Sequence, residues 1–267
     1  MRPSAEAQVA RYYRALHSAW GRQHWWPART PLEVMVGAIL TQNTAWTNVE
    51  RAIANLRRAR ALSAAGLRRL PLAQLERLVR PSGYFRQKAL RLKNLITWLD
   101  RRHGGSVGRM MSRPTAELRQ ELLELNGIGP ETADSILLYA GHHPVFVVDA
   151  YTRRILERHQ VIPADAPYDQ IRNLFEGALG DGFDRASTAS QRGKRRASLG
   201  LPGRGRPGLR DSAQAEHPPS PMSRARRSAV AQRFSDMHGL IVRTGKLHCH
   251  KRQPQCAGCP LEPFLPR

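Results

Sequence analysis

The chain of 267 residues is short of cysteine, of acidic side chains and of long apolar runs. Its three cysteines all lie between residues 249 and 259, and this odd, clustered number excludes the disulfide framework of a small secreted domain. No apolar run approaches the roughly 20 residues that a membrane-spanning helix needs. The N-terminus lacks the apolar core of a signal peptide. We therefore expect a cytosolic protein with no membrane partner.

The shortage of acid leaves a strongly basic chain. Lys and Arg number 43 against 21 Asp and Glu, which gives a formal net charge of +22. Such an excess favours a polyanionic partner, with nucleic acid first among the candidates. The segment 185–227 holds eleven of the basic residues and two of the acidic ones, and it is rich in Gly, Pro, Ser and Arg. With few large apolar side chains to bury, residues 184–228 are predicted to be a disordered basic insert.

The remainder of the chain predicts helices joined by short loops, because apolar residues recur with helical spacing. The only strand-like pattern, at residues 144–148, is short and runs directly into a predicted helix. An all-α fold is therefore expected. The predicted helices are Ala5–Ala19, Leu32–Gln42, Ala45–Arg57, Leu72–Arg80, Gln87–Arg102, Thr115–Glu124, Glu131–Ala140, Asp149–His159, Tyr168–Leu179 and Ala229–Arg243.

The most informative motif is a tight turn at Gly127-Ile128-Gly129, followed by a helix that Pro130 can begin. The amides of such a turn and of the helix N-terminus form a positive concavity that suits a phosphate group. Asp149 follows at the start of the next helix and supplies a carboxylate. Alone, the glycines also suit an ordinary helix–helix turn, and Asp149 an N-cap. Together, in a basic chain, they indicate a DNA grip beside a reactive carboxylate.

These motifs resemble those of the helix-hairpin-helix (HhH-GPD) DNA glycosylases, in the branch related to endonuclease III. The resemblance rests on residues 125–133 and 148–154, on the helix end Ile39–Trp46, and on the segment Gly83–Ala89. It implies a two-lobed helical fold with a DNA-binding cleft between the lobes and a C-terminal cysteine loop. Three regions follow: a glycosylase core at 1–183, the insert at 184–228, and a terminal helix with the cysteine loop at 229–267.

The resemblance assigns roles to individual residues. Asp149 matches the catalytic aspartate, which stabilises a sugar cation while the bond between C1′ and the base breaks. Gln42 matches the residue that fills the gap left by a flipped base. The expected DNA contacts are Gln42, Arg86, Lys88, Gly127, Ile128 and Gly129, with Arg91 also available to phosphates. Aromatic candidates for the base pocket, which suit the protein core equally well, are Trp25, Trp26, Trp46 and Tyr151.

One departure from the family bears on the reaction. Bifunctional relatives carry a lysine two residues after the second hairpin glycine, and that lysine attacks C1′. Here the position is Glu131. The sequence therefore predicts a monofunctional base excision repair glycosylase of double-stranded DNA, with alkylated bases as substrates. The alternatives are a bifunctional glycosylase and lyase for oxidised pyrimidines, and a non-catalytic DNA-binding protein. We expect a monomer located in the cytoplasm with the nucleoid.

A second departure lies in the cysteine loop. Cys249, Cys256 and Cys259 have the spacing of the family's [4Fe–4S] loop, but Leu265 stands where its fourth cysteine would be. His248 or His250 could complete either this set or a Cys3His zinc site. Three outcomes thus remain open at this point: an iron–sulfur cluster, a zinc ion and no metal.

Overall fold

The computed structural model of the protein describes residues 3–183, 215 and 217–266. All regular structure in these residues is helical, which confirms the predicted all-α fold. Two 3-10 helices, Arg80–Ser82 and Glu262–Phe264, accompany the α-helices. In chain order the α-helices are α1 (Ala5–Trp20), α2 (Pro31–Leu40), α3 (Trp46–Arg58), α4 (Ala64–Arg69), α5 (Leu72–Val79), α6 (Phe85–His103), α7 (Val107–Met111), α8 (Thr115–Leu123), α9 (Pro130–Ala140), α10 (Ala150–Arg158), α11 (Tyr168–Leu179), α12 (Pro221–Arg224) and α13 (Ala229–Leu247).

The chain divides into two compact units. The hairpin unit comprises residues 26–145 and 219–227, and the terminal unit comprises residues 1–25, 146–218 and 228–267. Within the described residues, no helix combines the length and the apolarity that crossing a bilayer demands.

The hairpin unit is built around α2. Thr30 caps this helix by accepting a hydrogen bond from the Glu33 amide at 3.2 Å, and Pro31 occupies the first helical position. Every residue from Leu32 to Leu40 is buried, as α2 packs against α9 and also contacts α3 and α6. A helix that is apolar on all sides belongs in the middle of a core. Its C-terminal end delivers Gln42 to the turn between α8 and α9.

The terminal unit joins both ends of the chain. Helix α1 packs against α11 and α13, and α10 packs against α13. The core contains Phe146 stacked on Phe175 with 4.0 Å between ring centroids, and Phe234 meets Phe146 edge-on at 6.0 Å. Such offset and edge-to-face aromatic pairs add to the free energy gained by burying their apolar area. This packing fixes α10, whose first residue follows Asp149, against α13.

The predicted disordered insert is wrong at its C-terminal end. Residues 184–214 and 216 lie outside the described residues, but α12 forms within 217–228. Ser220 caps α12 and donates its hydroxyl to the Trp26 carbonyl at 2.9 Å, while the Met222 amide donates to Ala28 at 3.1 Å. Met222 is buried. These contacts are made with residues almost 200 positions earlier, so local composition could not reveal them.

Two short helices, α4 and α7, escaped prediction because each is only one or two turns long. Both begin after a serine whose hydroxyl accepts an amide hydrogen bond, Ser63 at 3.0 Å and Ser106 at 3.2 Å. The segment 146–148 is extended without being a strand: the Phe146 amide donates to Glu176 and the Val148 amide to the Tyr168 hydroxyl. Side chains of α11 thus satisfy the amides that a strand partner would otherwise bind.

Candidate active site

The turn between α8 and α9 has the geometry that its glycines predict. Gly127 has a φ of +85°, in the left-handed region that favours glycine. Gly129 is the N-cap of α9, and a side chain added there would meet nothing within 4 Å. Ile128 differs from the prediction: its side chain is buried and its amide donates to the Leu125 carbonyl at 2.9 Å. It therefore anchors the turn from inside, and Gly129 presents the open face.

Gln42 and Arg91 brace this turn. The amide nitrogen of Gln42 donates to the Gly127 carbonyl and to the Thr132 hydroxyl, both at 2.9 Å, and its oxygen accepts from Arg91 at 2.5 Å. The Arg91 side chain lies against Gly127, where an added Cβ would come within 2.1 Å of Nε. All three hydrogen bonds join segments far apart in sequence. The Gln42 amide thus holds the hairpin together, and its predicted role in filling a DNA gap stays a prediction.

A second interaction fixes the two hairpin helices to each other. Arg119 of α8 donates to both carboxylate oxygens of Asp134 in α9, at 2.7 and 3.2 Å. The Asp134 side chain is fully buried and that of Arg119 is nearly so. Sequence analysis did not identify this pair, although a charged residue inside the apolar run of α9 was a signal that it needed a partner.

Asp149 caps α10 with only one of its two carboxylate oxygens. Oδ1 accepts from the Thr152 amide at 2.7 Å and from the Thr152 hydroxyl at 2.8 Å, and the Asp149 amide returns a hydrogen bond to that hydroxyl. This is a capping box built with threonine. Oδ2 takes no part in it and lies 3.6 Å from Nε2 of His238. The cap fixes the direction of the carboxylate and leaves Oδ2 for chemistry.

The surroundings of Asp149 keep it ionised. Burial on its own raises the pKa of this carboxyl group, but the imidazole of His238, 3.6 Å away, and the hydrogen bonds from Thr152 outweigh burial. The net pKa of Asp149 lies below its ordinary value. The carboxylate is therefore an anion near neutral pH, as stabilising a developing cation requires.

Comparison with known proteins now decides the family. Residues 36–180, more than half of the chain, match the model of the HhH-GPD superfamily of base excision DNA repair proteins. The chain belongs to this superfamily. This membership, together with the similarity to other DNA glycosylases, identifies the chain as a DNA N-glycosylase of base excision repair.

Two sequence relatives and two solved structures illustrate the relationship. A protein of Methanocaldococcus jannaschii named as a DNA repair glycosylase is 45% identical over 180 residues, covering 67% of this chain and 82% of its own length. Endonuclease III of Thermotoga maritima is 30% identical over 128 residues, covering 48% and 56%. The Helicobacter pylori 3-methyladenine DNA glycosylase bound to 1,N6-ethenoadenine has a TM-score of 0.64 at 25% identity, covering 91% of this chain and 98% of that one. An endonuclease III–DNA complex, 19% identical with a TM-score of 0.69, covers 99% and 96% and shares the fold.

Of the three phosphate contacts predicted on α6, Arg91 donates to Gln42, and the other two differ in exposure. Arg86 is exposed in the first turn of the helix, where it can meet a ligand. Lys88 is buried and donates to the carbonyls of Leu40 and Ser82 at 2.8 and 2.6 Å. The prediction that Lys88 contacts DNA is therefore wrong. Its ammonium group instead ties the end of α2 to the 3-10 helix before α6.

The four aromatic candidates for a base pocket are packed within the units. Trp26 is buried against Trp46 and Tyr139, and Trp46 is partly exposed. Trp25 is also buried and contacts His217 in the terminal unit. Tyr151 packs so closely on α13 that a Cβ at Gly245 would lie 2.0 Å from its ring. A role for any of the four in base recognition stays a prediction.

An exposed tyrosine escaped notice in the sequence. Tyr84, which precedes α6, is 66% exposed and has a φ of +44°. A bulky residue in the left-handed region costs free energy and is often found at functional sites. Because Gly83 before it also has a positive φ, the pair forms a projecting turn beside Arg86. The signal available in the sequence was an aromatic pair directly after a glycine.

The cysteine loop does not fit the cluster that the family implies. Among the described residues, no three His, Cys, Asp or Glu side chains are arranged to hold a metal ion. The Cys249 sulfur accepts a hydrogen bond from Arg158 at 3.1 Å, and Leu265 occupies the fourth position. Burial raises the pKa of the Cys259 thiol, which disfavours the thiolate that a metal needs.

The histidines of this loop do not complete a set either. The His248 ring stacks on Trp20 with 5.9 Å between centroids, and its Nδ1 lies 3.1 Å from the Gln255 carbonyl oxygen. Arginines hold the loop instead. Arg154 donates to the Cys249 carbonyl at 2.7 Å, and Arg158 donates to the carbonyls of His250 and Lys251 at 2.7 and 2.8 Å. We therefore derive no step of the reaction through a metal cluster.

Proposed function

We propose that the protein is a monofunctional glycosylase that hydrolyses the bond between C1′ and an alkylated purine in duplex DNA. The observation that carries the proposal is the division of the Asp149 carboxylate, in which Oδ1 caps α10 and Oδ2 remains outside the cap. As the C1′–N bond breaks, the base leaves with the bonding electron pair and the sugar becomes an oxocarbenium-like cation. Oδ2 stabilises this cation, and a water molecule attacks C1′ and loses a proton.

The distribution of lysines supports the use of water. Glu131 stands where a lysine nucleophile would be needed. A nucleophilic lysine requires a lowered pKa, and burial does lower the pKa of Lys88 to about 8. However, its nitrogen is committed to two carbonyls inside the core. Lys93, also on α6, donates to the carbonyls of Leu67, Arg68 and Leu70. Neither of these two α6 side chains suits attack on a sugar carbon, and with Glu131 at the family's lysine position we expect no Schiff base.

The substrate class is inferred from the chemistry that the Asp149 carboxylate can supply. A purine alkylated at N3 or N7 carries positive charge, so it leaves as a neutral base and needs no general acid. Stabilising the sugar cation is then the main requirement, and one ionised carboxylate can supply it. The similarity to the 3-methyladenine DNA glycosylase of Helicobacter pylori supports the same class.

DNA binding is assigned to the hairpin and to the projecting turn. The open face of Gly129 and the N-terminus of α9 suit a backbone phosphate, and such contacts position DNA without selecting sequence. Tyr84 suits the gap that a flipped base leaves, since exposed apolar side chains can enter a base stack. Gln42, already bonded to the hairpin, then acts chiefly by keeping that turn in shape.

The test is a panel of duplexes, each with one lesion: 3-methyladenine, 1,N6-ethenoadenine, 8-oxoguanine, thymine glycol or uracil. Each reaction is divided, and one half is heated in alkali to cleave abasic sites. We expect strand breaks with the cationic 3-methyladenine, only after alkali, and none with 8-oxoguanine, thymine glycol or uracil. The neutral 1,N6-ethenoadenine tests whether excision requires a positive charge on the base. Borohydride should trap no covalent complex, whereas Glu131→Lys supplies an amine at the family's position and serves as the matched variant.

Strand breaks without alkali, or efficient borohydride trapping by the unaltered protein, would establish the bifunctional alternative. Excision confined to oxidised pyrimidines would overturn the substrate class. Tyr84→Ala should slow excision while Tyr84→Phe preserves it, since stacking needs the ring but not the hydroxyl. If Tyr84→Ala and Tyr84→Phe excise the base at the same rate, the ring of Tyr84 has no part in the mechanism.

A further inference from the structure

A buried histidine lies beside Oδ2, the oxygen of the proposed catalytic carboxylate that takes no part in the helix cap. His238 is in the middle of α13, 89 positions after Asp149, and its side chain is 5% exposed. Nε2 of His238 is 3.6 Å from Oδ2 of Asp149, whose side chain is 12% exposed. Both residues belong to the terminal unit. A buried imidazole at this distance from a carboxylate is a strong electrostatic partner, because little water screens the pair.

The two oxygens of Asp149 have separate partners. Thr152 supplies two hydrogen bonds, from its amide and its hydroxyl, and both end on Oδ1. Thr152 therefore cannot control Oδ2, the oxygen left for the sugar cation. The imidazole is the group placed to do so.

We propose that His238 is a positioning residue that keeps Oδ2 of Asp149 ionised and correctly directed for stabilising the sugar cation. The proposal rests on the catalytic role assigned to Asp149 above. An imidazole with a proton on Nε2 directs that N–H toward Oδ2 whether the ring is neutral or cationic. His238 acts through Asp149 and need not touch the DNA.

The charged and titratable groups on the helices that carry or contact this pair interact with other partners. On α13, Asp236 pairs with Arg22, which follows α1, at 3.6 Å. On α10, Arg153 donates to the Ala166 carbonyl and Arg154 to the Cys249 carbonyl, both at 2.7 Å. From α11, the Tyr168 hydroxyl accepts from the Val148 amide. Each of these partners is a group other than the Asp149 carboxylate.

Removing the imidazole has a consequence with a definite sign. Burial raises the pKa of Asp149, and His238 opposes it. Without the imidazole, burial prevails, the pKa of Asp149 rises, and a larger fraction of the carboxyl group is protonated at a given acidic pH. Because the ionised form is the active one, the acidic limb of the excision rate should move to higher pH.

The experiment measures single-turnover excision of an alkylated purine by His238→Phe and His238→Gln from about pH 4 to pH 8. His238→Phe should be slower by about tenfold or more at neutral pH, as for loss of a partner that orients a reacting group. Its acidic limb should also move upward. His238→Gln retains an N–H donor and should recover much of the neutral-pH rate. The dissociation constant for lesion DNA should be unchanged in both.

The matched control is His159→Gln, a half-buried histidine at the C-terminal cap of α10, roughly 15 Å along the helix from Asp149. It should leave the rate and its pH profile unaltered. A loss of activity through poor folding would appear in the circular dichroism spectrum. It would not reproduce an upward pH shift that glutamine relieves.

Asp149→Asn, measured in parallel, separates the two proposals. If Asp149→Asn retains the normal rate, the catalytic role of Asp149 is wrong. If Asp149→Asn is inactive while folded His238→Phe and His238→Gln both keep the normal rate and pH profile, the role of His238 alone is overturned. Both roles are established if Asp149→Asn is inactive, if His238→Phe excises more slowly with its acidic limb at higher pH, and if His238→Gln recovers much of the neutral-pH rate.

Discussion

The hairpin turn and the cysteine loop are two irregular segments that arginines hold in different ways. In the hairpin, Arg91 packs its side chain against Gly127 and donates to Gln42, so one residue shapes the turn through another. In the cysteine loop, Arg154 and Arg158 donate directly to three successive backbone carbonyls. The hairpin is constrained by glycine geometry, and its open side is free for a ligand. The cysteine loop is constrained by the hydrogen bonds that its backbone carbonyls accept from the two arginines.

This difference shows that arginines can hold an irregular loop in place through its backbone carbonyls. A cluster would hold the loop by four thiolates, whereas a guanidinium offers five N–H donors in a rigid plane. Two arginines one helical turn apart on α10 can therefore bind the same stretch of chain. The hairpin has no such alternative, because a left-handed glycine and a close side chain leave little room for substitution.

The largest effect is expected from breaking the pair that joins the hairpin helices. Asp134→Ala leaves the Arg119 guanidinium without its carboxylate, and the free energy of unfolding should fall by about 3–5 kcal/mol. Urea denaturation measures this loss. The control is Glu117→Ala, also on α8, which removes an exposed ion pair with Arg113 and should cost less than about 1 kcal/mol. Equal losses for the two variants would show that Asp134 has no special role.

The double variant Arg119→Met with Asp134→Leu sharpens this test. Replacing both charges by apolar side chains removes the uncompensated guanidinium, so much of the lost stability should return. If the double variant is as unstable as Asp134→Ala, the loss comes from packing around α9 and not from an unpaired charge.

Local features of the site could be predicted from the sequence, and distant contacts could not. The glycine turn and the cap at Asp149 depend on residues within a few positions of one another, so their types and spacing were sufficient. The partners of these features, Arg91 for Gly127 and His238 for Asp149, lie 36 and 89 positions away. Lys88 was misassigned for the same reason, because only the packed fold shows its ammonium group turned inward.

The helices show the same contrast between local patterns, which could be predicted, and distant contacts, which could not. Long helices with a regular apolar pattern were predicted to within a few residues, whereas α4 and α7 were too short to show a period. The ordered residues of α12 depend on hydrogen bonds to Trp26 and Ala28, which composition does not encode. The contact between the Arg158 guanidinium and the Cys249 sulfur, 91 positions apart, likewise could not be read from composition.

The next effect tests the arginine support of the cysteine loop. Arg158→Met removes donors to the Cys249 sulfur and to the His250 and Lys251 carbonyls, and unfolding free energy should fall by about 2 kcal/mol. Cys256→Ser should cost less than about 1 kcal/mol, because no metal bond is lost. Purified protein should contain neither iron nor zinc in stoichiometric amount, and a chelator should leave Tm unchanged.

A stoichiometric metal content would reverse this interpretation and give the loop the role it has in the family. Leu265→Cys completes the four-cysteine set. After anaerobic reconstitution, this variant should gain iron and a higher Tm, since metal binding to the native state adds to the free energy of unfolding. No gain of iron would mean that Arg158 blocks the position even when four thiols are present.

A smaller effect separates folding from DNA contact within the hairpin. Gly127→Ala places a side chain at a φ of +85° and against Arg91, which should cost about 1–2 kcal/mol of stability and weaken binding to all duplexes. Gly129→Ala meets nothing within 4 Å at a φ of −92°, so stability should be unchanged. If the open face approaches a phosphate, Gly129→Ala should nevertheless weaken binding to lesion and undamaged duplexes alike. A loss for one lesion alone would place this turn in the base pocket.

The smallest expected effect distinguishes the two units by their response to acid. Burial lowers the pKa of His142 in the hairpin unit to about 4, and the charge of Arg227 contributes. Between pH 6.5 and about 4 the unfolded chain therefore binds a proton at His142 that the folded chain does not, so the contribution of His142 to the free energy of unfolding falls as pH falls.

Asp149 in the terminal unit loses its contribution in a lower pH range. Because its pKa is lowered in the folded state, its contribution to the free energy of unfolding persists down to the ordinary pKa of 3.8 and is lost only below that value. Amide hydrogen exchange, corrected for the intrinsic effect of pH, should show protection falling more steeply in the hairpin unit, where burial lowers the pKa values of His142 and His143, than in the terminal unit, where it lowers that of His159. His142→Gln should flatten the pH dependence in the hairpin unit, and Arg227→Gln should do so in part, because the pKa of His142 then rises toward its ordinary value. An unaltered slope in His142→Gln would mean that other groups govern the acid sensitivity of this unit.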